Sequence, residues 1–265
     1  MDIKELKITR NPASKINHPW EYARSRVIFD ILKPYIKHHS LSLNVLDIGC
    51  GDLFFLDQFC RQFAPYHPAA AAIDTAFDDT LIAFLKKKHQ DLPIDICKNF
   101  QNLKFNDGHV DIIFLLDVIE HIENSQDFLE FLLRQAYIDK NTLFVITVPA
   151  FNNLFFKHDQ WLGHYRRYSQ EELKRTVEDA GFQYIKGGYF FFTLLLARFI
   201  QKHMDTLLIK KDDNMKGIGD WHHGKIFSFL CEMFLLGDYH TAKLFLSMGI
   251  TIPGLSTYIL CKPQS

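Results

Sequence analysis

The stretch Asp47-Ile48-Gly49-Cys50-Gly51-Asp52 closes an apolar run and opens a helical pattern from about Leu53. Glycines at the first and third places of such a turn let the backbone pass close to a ligand, and the helix behind them offers N–H groups without an intrahelical acceptor. A nucleotide-like ligand would sit there, outside the carboxyl end of the strand. A dinucleotide fits poorly, because its fingerprint needs glycine at the sixth place, where Phe54 stands, and Asp47 would repel a pyrophosphate. A cationic, phosphate-free cofactor suits Asp47 better. Asp74, followed by Thr75, ends a second apolar run twenty-seven residues after Asp47, and an acid at that place can accept both hydroxyls of a ribose. Alone, Asp74 would read as a turn residue or helix N-cap; beside the glycine turn it reads as a ligand contact.

Buried strands must position these residues. Leu43–Ile48, Ala69–Ile73, Val110–Leu116 and Thr142–Val148 are apolar on both faces, and helical spacing lies between them at Phe54–Phe63, Thr80–Lys88 and Ser125–Ala136. That alternation implies an α/β fold with a parallel sheet covered on both sides. After Pro149 comes a polar, aromatic-rich loop with His158, Trp161, His164, Arg166 and Arg167. The next helix is bounded by a Ser169–Glu172 capping box and Gly181. Phe182–Phe192 and Ser256–Cys261 read as two further strands, separated by some sixty residues rich in Leu, Phe and Met that form an insertion with helices of its own. Residues 15–39 read as a helix or two before the first strand. Lys86, Lys87 and Lys88 read as the solvated end of a helix.

Composition removes several classes. Of 265 residues, 48% are hydrophobic and 25 are Phe, so the chain is not disordered. A net charge of −1 without any block of like charges gives no general footprint for nucleic acid. Cys50, Cys60, Cys97, Cys231 and Cys261 form no CxxC pair, which indicates a reducing compartment and no zinc framework. The first ten residues lack a signal-like apolar core, so a cytoplasmic location is expected. The greasiest stretch, Tyr189–Ala197, falls well short of the roughly 20 residues that cross a bilayer, although it could touch a membrane surface.

Together the motifs resemble the class I S-adenosylmethionine-dependent methyltransferases. The resemblance is carried by Asp47–Gly51, Asp74, the segment Leu103–Asp111 and Asp117-Val118-Ile119-Glu120-His121, and it covers about residues 43–188. His18-Pro19-Trp20-Glu21-Tyr22-Ala23-Arg24 and His164-Tyr165-Arg166-Arg167-Tyr168-Ser169 are similar to the ubiquinone-methyltransferase-like branch. The resemblance implies a Rossmann-like, mostly parallel seven-stranded sheet with an N-terminal helical lid (residues 1–40), a cofactor domain (41–192 plus 251–265) and a helical insertion (193–250) before the last strand. It implies that Asp47, Gly49, Cys50 and Gly51 line the methionine end of S-adenosylmethionine and that Asp74 and Thr75 meet the ribose. Asn99 and Phe100 would take the adenine, and Leu116 and Asp117 would lie under the sulfonium. The stretch from Trp20 to Arg26, with Tyr22 and Arg24, would fold over the cofactor. Leu53 stands where relatives carry a third glycine, and its side chain is expected to face the pocket and narrow it.

Methyl transfer from a sulfonium is an in-line displacement that asks mainly for alignment and exclusion of water. A hydroxyl or protonated amine acceptor also needs a base, for which His121, His158 and His164 are the candidates. Arg166 and Arg167 could hold an anionic substrate group, or pair with Glu171, Glu172 or a lid carboxylate. No metal is expected, because no His, Asp or Glu group has ligand spacing. The apolar residues between Phe190 and Leu235 suit a small or lipid-like acceptor, a membrane surface or a second copy of the chain across residues 190–248, and equally plain core packing. The rival to an enzyme is a non-catalytic binding or scaffold protein, kept open by Leu53 and Asn99. A nicotinamide-dependent oxidoreductase is disfavoured by Phe54.

Overall fold

The computed structural model describes residues 18–37, 42–103, 105, 108–208 and 223–264. Its centre is a seven-stranded sheet of β1 (Leu43–Ile48), β2 (Pro68–Ile73), β3 (Ile94–Cys97), β4 (Ile112–Leu116), β5 (Leu143–Pro149), β6 (Phe182–Phe190) and β7 (Ser256–Pro263). The order across the sheet is β3-β2-β1-β4-β5-β7-β6. Strands β1 to β5 pair in parallel, and β7 runs antiparallel to both β5 and β6. The α/β class, the parallel sheet and the returning last strand are as the sequence predicts.

Side chains alternate between two cores. Val45, Phe114 and Val145 face one side of the sheet, while Leu46, Ile113, Leu115, Phe144 and Ile146 face the other. The first side is covered by α1 (Pro19–Ile36) and α2 (Phe54–Gln62), with α3 (Asp79–Lys88) behind them. Here Phe29, Phe55, Phe59, Phe63 and Phe114 meet edge-on or tilted, with ring centroids 4.8–6.3 Å apart. The second side is covered by α4 (Ser125–Leu133) and α6 (Gln170–Asp179) through Leu129, Leu132, Leu173 and Val177. The capping box of α6 forms as predicted: Glu172 N–H donates to Ser169 Oγ at 3.2 Å and Ser169 N–H to Glu172 Oε2 at 2.7 Å.

Three boundaries differ from the sequence reading. Strand β3, Ile-Asp-Ile-Cys at the sheet edge, lies outside the apolar runs because half of it faces solvent. The expected strand Phe182–Phe192 ends at Phe190: Phe191 takes φ 68° and Phe192 begins α7 (Phe192–Leu208). The first helix is anchored rather than merely laid over the domain. Ala23, Val27, Ile28, Ile31 and Leu32 of α1 are buried in the core, and its outer side meets α8 (Lys225–Ser247) through Arg26–Glu232 and the bond from Tyr239 Oη to Asp30 at 2.9 Å. Residues 1–17 and 38–40 of the expected lid lie outside the described residues, as do residue 41 and, in the insertion, 209–222.

Leu53 departs most from its expectation. It takes a left-handed conformation, φ 64°, which turns its side chain away from the cavity and into the core, where it is fully buried. A non-glycine residue there costs about 1–2 kcal/mol of backbone strain, whereas deleting a buried leucine side chain costs roughly 3–5 kcal/mol. Leu53→Gly should therefore lower the unfolding free energy by about 1–4 kcal/mol in denaturant titration; a stabilised variant would show that the strain outweighs the packing.

Candidate active site

The sheet ends bring the chemistry together. Asp47 pairs in register with Ala72 of β2 and Phe114 of β4, and Leu116 with Thr147 of β5. Asp47, Asp74 and Asp117 consequently gather at the carboxyl edge of three adjacent strands, the expected place for a ligand in an open parallel sheet. A cavity of about 1560 Å³ opens there. Arg24, Asp47, Gly49, Cys50, Asp74, Thr75, Asn99, Phe100, Leu116 and Asp117 line it, and so do all three candidate bases, His121, His158 and His164.

Gly49 takes φ +74°, and a Cβ there would come within 2.7 Å of Val118, so the crossing of the turn over β4 requires glycine. Gly51, also at positive φ, is not in the cavity wall; its N–H donates to Asp74 Oδ2 at 3.1 Å. Asp74 Oδ1 accepts from Ala76 N–H at 2.9 Å. The carboxylate thus braces the glycine turn against the loop after β2, and it keeps acceptor capacity for hydroxyls. Tyr22 also stands outside the wall: it packs edge-on against Phe54 at 4.7 Å, while His18, Trp20, Glu21 and Arg24 carry the cavity side of α1.

Asp47 is buried, and burial pushes its carboxyl up to about 8 despite the opposing charge of Arg24. A cation arriving beside Asp47 supplies the charge that burial withholds. Arg24, stacked on Trp20 at 4.6 Å, pairs with Asp117, which takes φ 59° and accepts a second bond from Thr147 Oγ1 at 3.2 Å. Glu120, fully buried in the same wall, has both carboxylate oxygens without a hydrogen-bond partner. Burial and then Asp117 push its carboxyl well above the usual range.

The loop after β5 forms the other wall. Within α5 (Lys157–Leu162), Asp159 is fully buried and accepts from His164 Nδ1 at 3.0 Å, Arg167 Nε at 2.8 Å, Arg198 at 3.5 Å and Phe156 N–H at 3.0 Å. Burial pushes the Asp159 carboxyl up, but the bond to His164 and the charge of Arg167 outweigh it and hold the group below the usual carboxylate range. An ionised Asp159 is acceptor-only, so His164 carries a proton on Nδ1, and Nε2 is the ring nitrogen left for another partner. The His164 ring stands edge-on to His121 with centroids 4.6 Å apart. His158 stacks on Trp161, and burial, then Arg198, lowers its basicity. The two arginines find other partners among the described residues than the sequence reading offered: Arg167 pairs with Asp159, and Arg166 donates to the main-chain oxygen of Glu123.

Glu120, His121 and His164 each present a ligand atom within 4.8 Å of the others, a set able to hold a divalent cation. The expectation of no metal rested on spacing along the chain, and the fold assembles this set from two separate segments.

Residues 20–187 match the family model described as a methyltransferase domain. The chain belongs to that family. Its fold is that of the class I S-adenosylmethionine-dependent methyltransferases. It is 28% identical over 99 residues to the mitochondrial ubiquinone biosynthesis O-methyltransferase of Dictyostelium discoideum, an alignment that covers 34% of this chain and 30% of that relative's length. In structure it is similar to the plantazolicin methyltransferase BpumL in complex with a triazolic analogue and S-adenosylhomocysteine (TM-score 0.54, 14% identity, 99% of this chain and 90% of the other). It is also similar to phosphoethanolamine N-methyltransferase 2 of Haemonchus contortus in complex with S-adenosylmethionine (TM-score 0.53, 13% identity, 91% of this chain and 52% of the other).

Sequence reasoning missed three residues of this methyltransferase site: Asp159, Glu120 and Arg198. The third lies on α7 and enters the cavity only because the insertion folds back over it. If the cationic methionine end of the cofactor meets Asp47, it selects the ionised carboxylate, and binding then releases a proton below pH 8. Affinity for S-adenosylhomocysteine should rise between about pH 6 and 8, by up to about tenfold per pH unit, and Asp47→Asn should flatten the profile in calorimetric titration. A wild-type profile already flat over that range would show that Asp47 does not face the cation.

Proposed function

We propose that this protein transfers a methyl group from S-adenosylmethionine to an oxygen or carbon atom of a small or lipid-like acceptor. The observation that carries the reading is one cavity walled on one side by the glycine turn with Asp47, Asp74 and Asn99, and on the other by His164 held on Asp159. Bound S-adenosylmethionine supplies an electrophilic methyl on a sulfonium. In this reading Asp47 takes the methionine ammonium, Asp74 the ribose hydroxyls, and Asn99 with Phe100 the adenine. Leu116 lies beneath the sulfonium. His164 accepts the acceptor's proton at Nε2, while Asp159 stabilises the imidazolium that results.

His121 abuts His164 and confines its ring, and His158, with its basicity lowered, serves acceptor binding better than proton transfer. The burial of Leu53 removes one of the two features that favoured a scaffold without a cofactor. The insertion, through Leu194, Ala197 and Arg198, is the side from which the acceptor is bound. Four of the five cysteines are buried and none is bridged, which suits a reducing, cytoplasmic setting.

Calorimetric titration with S-adenosylhomocysteine tests the cofactor half. Micromolar affinity is expected, weakened by about 1–3 kcal/mol in Asp74→Ala, and no binding by the wild type would sink the reading. His164→Ala should keep that affinity and lower S-adenosylhomocysteine release, with a lipid extract as acceptor source, by about 10²–10⁴-fold. Undiminished release would remove His164 as the base.

A further inference from the structure

The two insertion helices carry apolar residues on the side that faces away from the protein. Along α8, Ile226 (81% exposed), Leu230, Met233 and Leu244 follow one another at helical spacing on the outer face, with Gly237 and Thr241 continuing the line. Leu196, Phe199 and Ile200 do the same on α7. A helix that only covers a core keeps its outer face polar, so this pattern is reversed.

Charge narrows the choice of occupant. The acids on the described side chains of α7 and α8 are both engaged: Glu232 with Arg26 and Asp238 with Thr193. The exposed ionisable groups on α8 are Lys225, His240 and Lys243, the last of them paired with Asp30 of α1. An apolar stripe flanked by Lys225 and the half-exposed Lys243, with no exposed acid among the described side chains of the two helices, complements an anionic lipid surface. Among the described residues no helix is long and apolar enough to cross a membrane. At about 35 Å, α8 is instead long enough to lie along one.

The stripe also runs into the active-site cavity. Leu230 and Phe234 are exposed on the outside and line the cavity as well, where they meet Leu194, Ala197 and Leu235. The inner end of that path is polar, with Arg198, His158 and His164.

We propose that the outer face of α7 and α8 docks on an anionic bilayer, and that the acceptor is an amphiphile that passes from the bilayer between the two helices with its polar head toward His164. The second part rests on the methyltransferase reading; the docking itself does not.

The test is co-sedimentation with vesicles of equal parts phosphatidylcholine and phosphatidylserine, beside light scattering for mass and titration with S-adenosylhomocysteine. The wild type should sediment with the vesicles, and the double variant Ile226→Glu, Met233→Glu should lose at least about tenfold in partitioning while retaining cofactor affinity. Neither residue lines the cavity, so retained affinity reports an intact fold and site. A wild type that ignores vesicles, or a variant that sediments equally, overturns the docking. A vesicle-indifferent dimer that the same substitutions split would assign the face to a second copy of the chain and overturn it as well. Vesicle binding without any affinity for S-adenosylhomocysteine would uphold the docking and sink the methyltransferase reading separately.

Discussion

A single buried carboxylate organises the cavity wall that the loop after β5 builds. Asp159 draws donors from its own helix, from the loop that follows and from the first insertion helix, and each of the three segments is fixed relative to the others through it. Placing an ionised group at zero exposure is costly, and only a full set of charged and main-chain donors makes it tolerable. Removing one partner of such a buried group typically costs 3–5 kcal/mol, because the remaining charge is then uncompensated. The orientation of His164, the position of Arg167 and the inward turn of Arg198 are therefore one constraint rather than three. Strand β5 provides the base for it: Ala150 offers its carbonyl to Arg167, and Tyr168 returns to bond Pro149.

The wall with the glycine turn is arranged on the opposite electrostatic principle. Asp47, Asp74, Asp117 and Glu120 crowd the ends of β1, β2 and β4, and Arg24 is the cation that pairs with Asp117 from α1. Such a cluster strains against itself, as the raised carboxyls of Asp47 and Glu120 record. A ligand carrying an ammonium and a sulfonium would relieve that repulsion if bound there, as the proposed reading has it. The helix α1 is indispensable to the balance. It is anchored in the core through Ala23, Val27, Ile28, Ile31 and Leu32, and this anchor places Arg24 beside Asp117.

What the sequence disclosed was whatever is decided locally. The glycine turn, the apolar strands and the Ser169–Glu172 cap depend on neighbours within a few residues, and all formed where expected. Strand β3 escaped because an edge strand need be apolar on only one face. Glu120 was visible as part of a motif, but its isolation from every donor is a property of the folded interior. Asp159 looked like any surface acid of a polar loop, and its importance arises from partners up to 39 residues away. Leu53 was misjudged because its place in the chain points to the pocket while its left-handed φ swings the side chain into the core. The partners that long side chains choose, as for Arg166 and Arg167, are settled by packing that no spacing rule encodes.

The insertion is stitched into the sheet at a single point. Phe190, the last residue of β6, lies opposite Ser256, the first of β7, and Leu255 bonds both Phe191 and Ala150. Gly254 lets the returning chain pass the backbone of Phe190 where any Cβ would collide at 2.1 Å. The sixty-odd residues in between thus leave and rejoin adjacent antiparallel strands at nearly one place, and the strand pairing does not sense their length. An evolving gene could lengthen, shorten or exchange that segment while the sheet and the glycine turn stayed as they are. Descendants of one ancestral catalyst could in this way come to accept very different molecules.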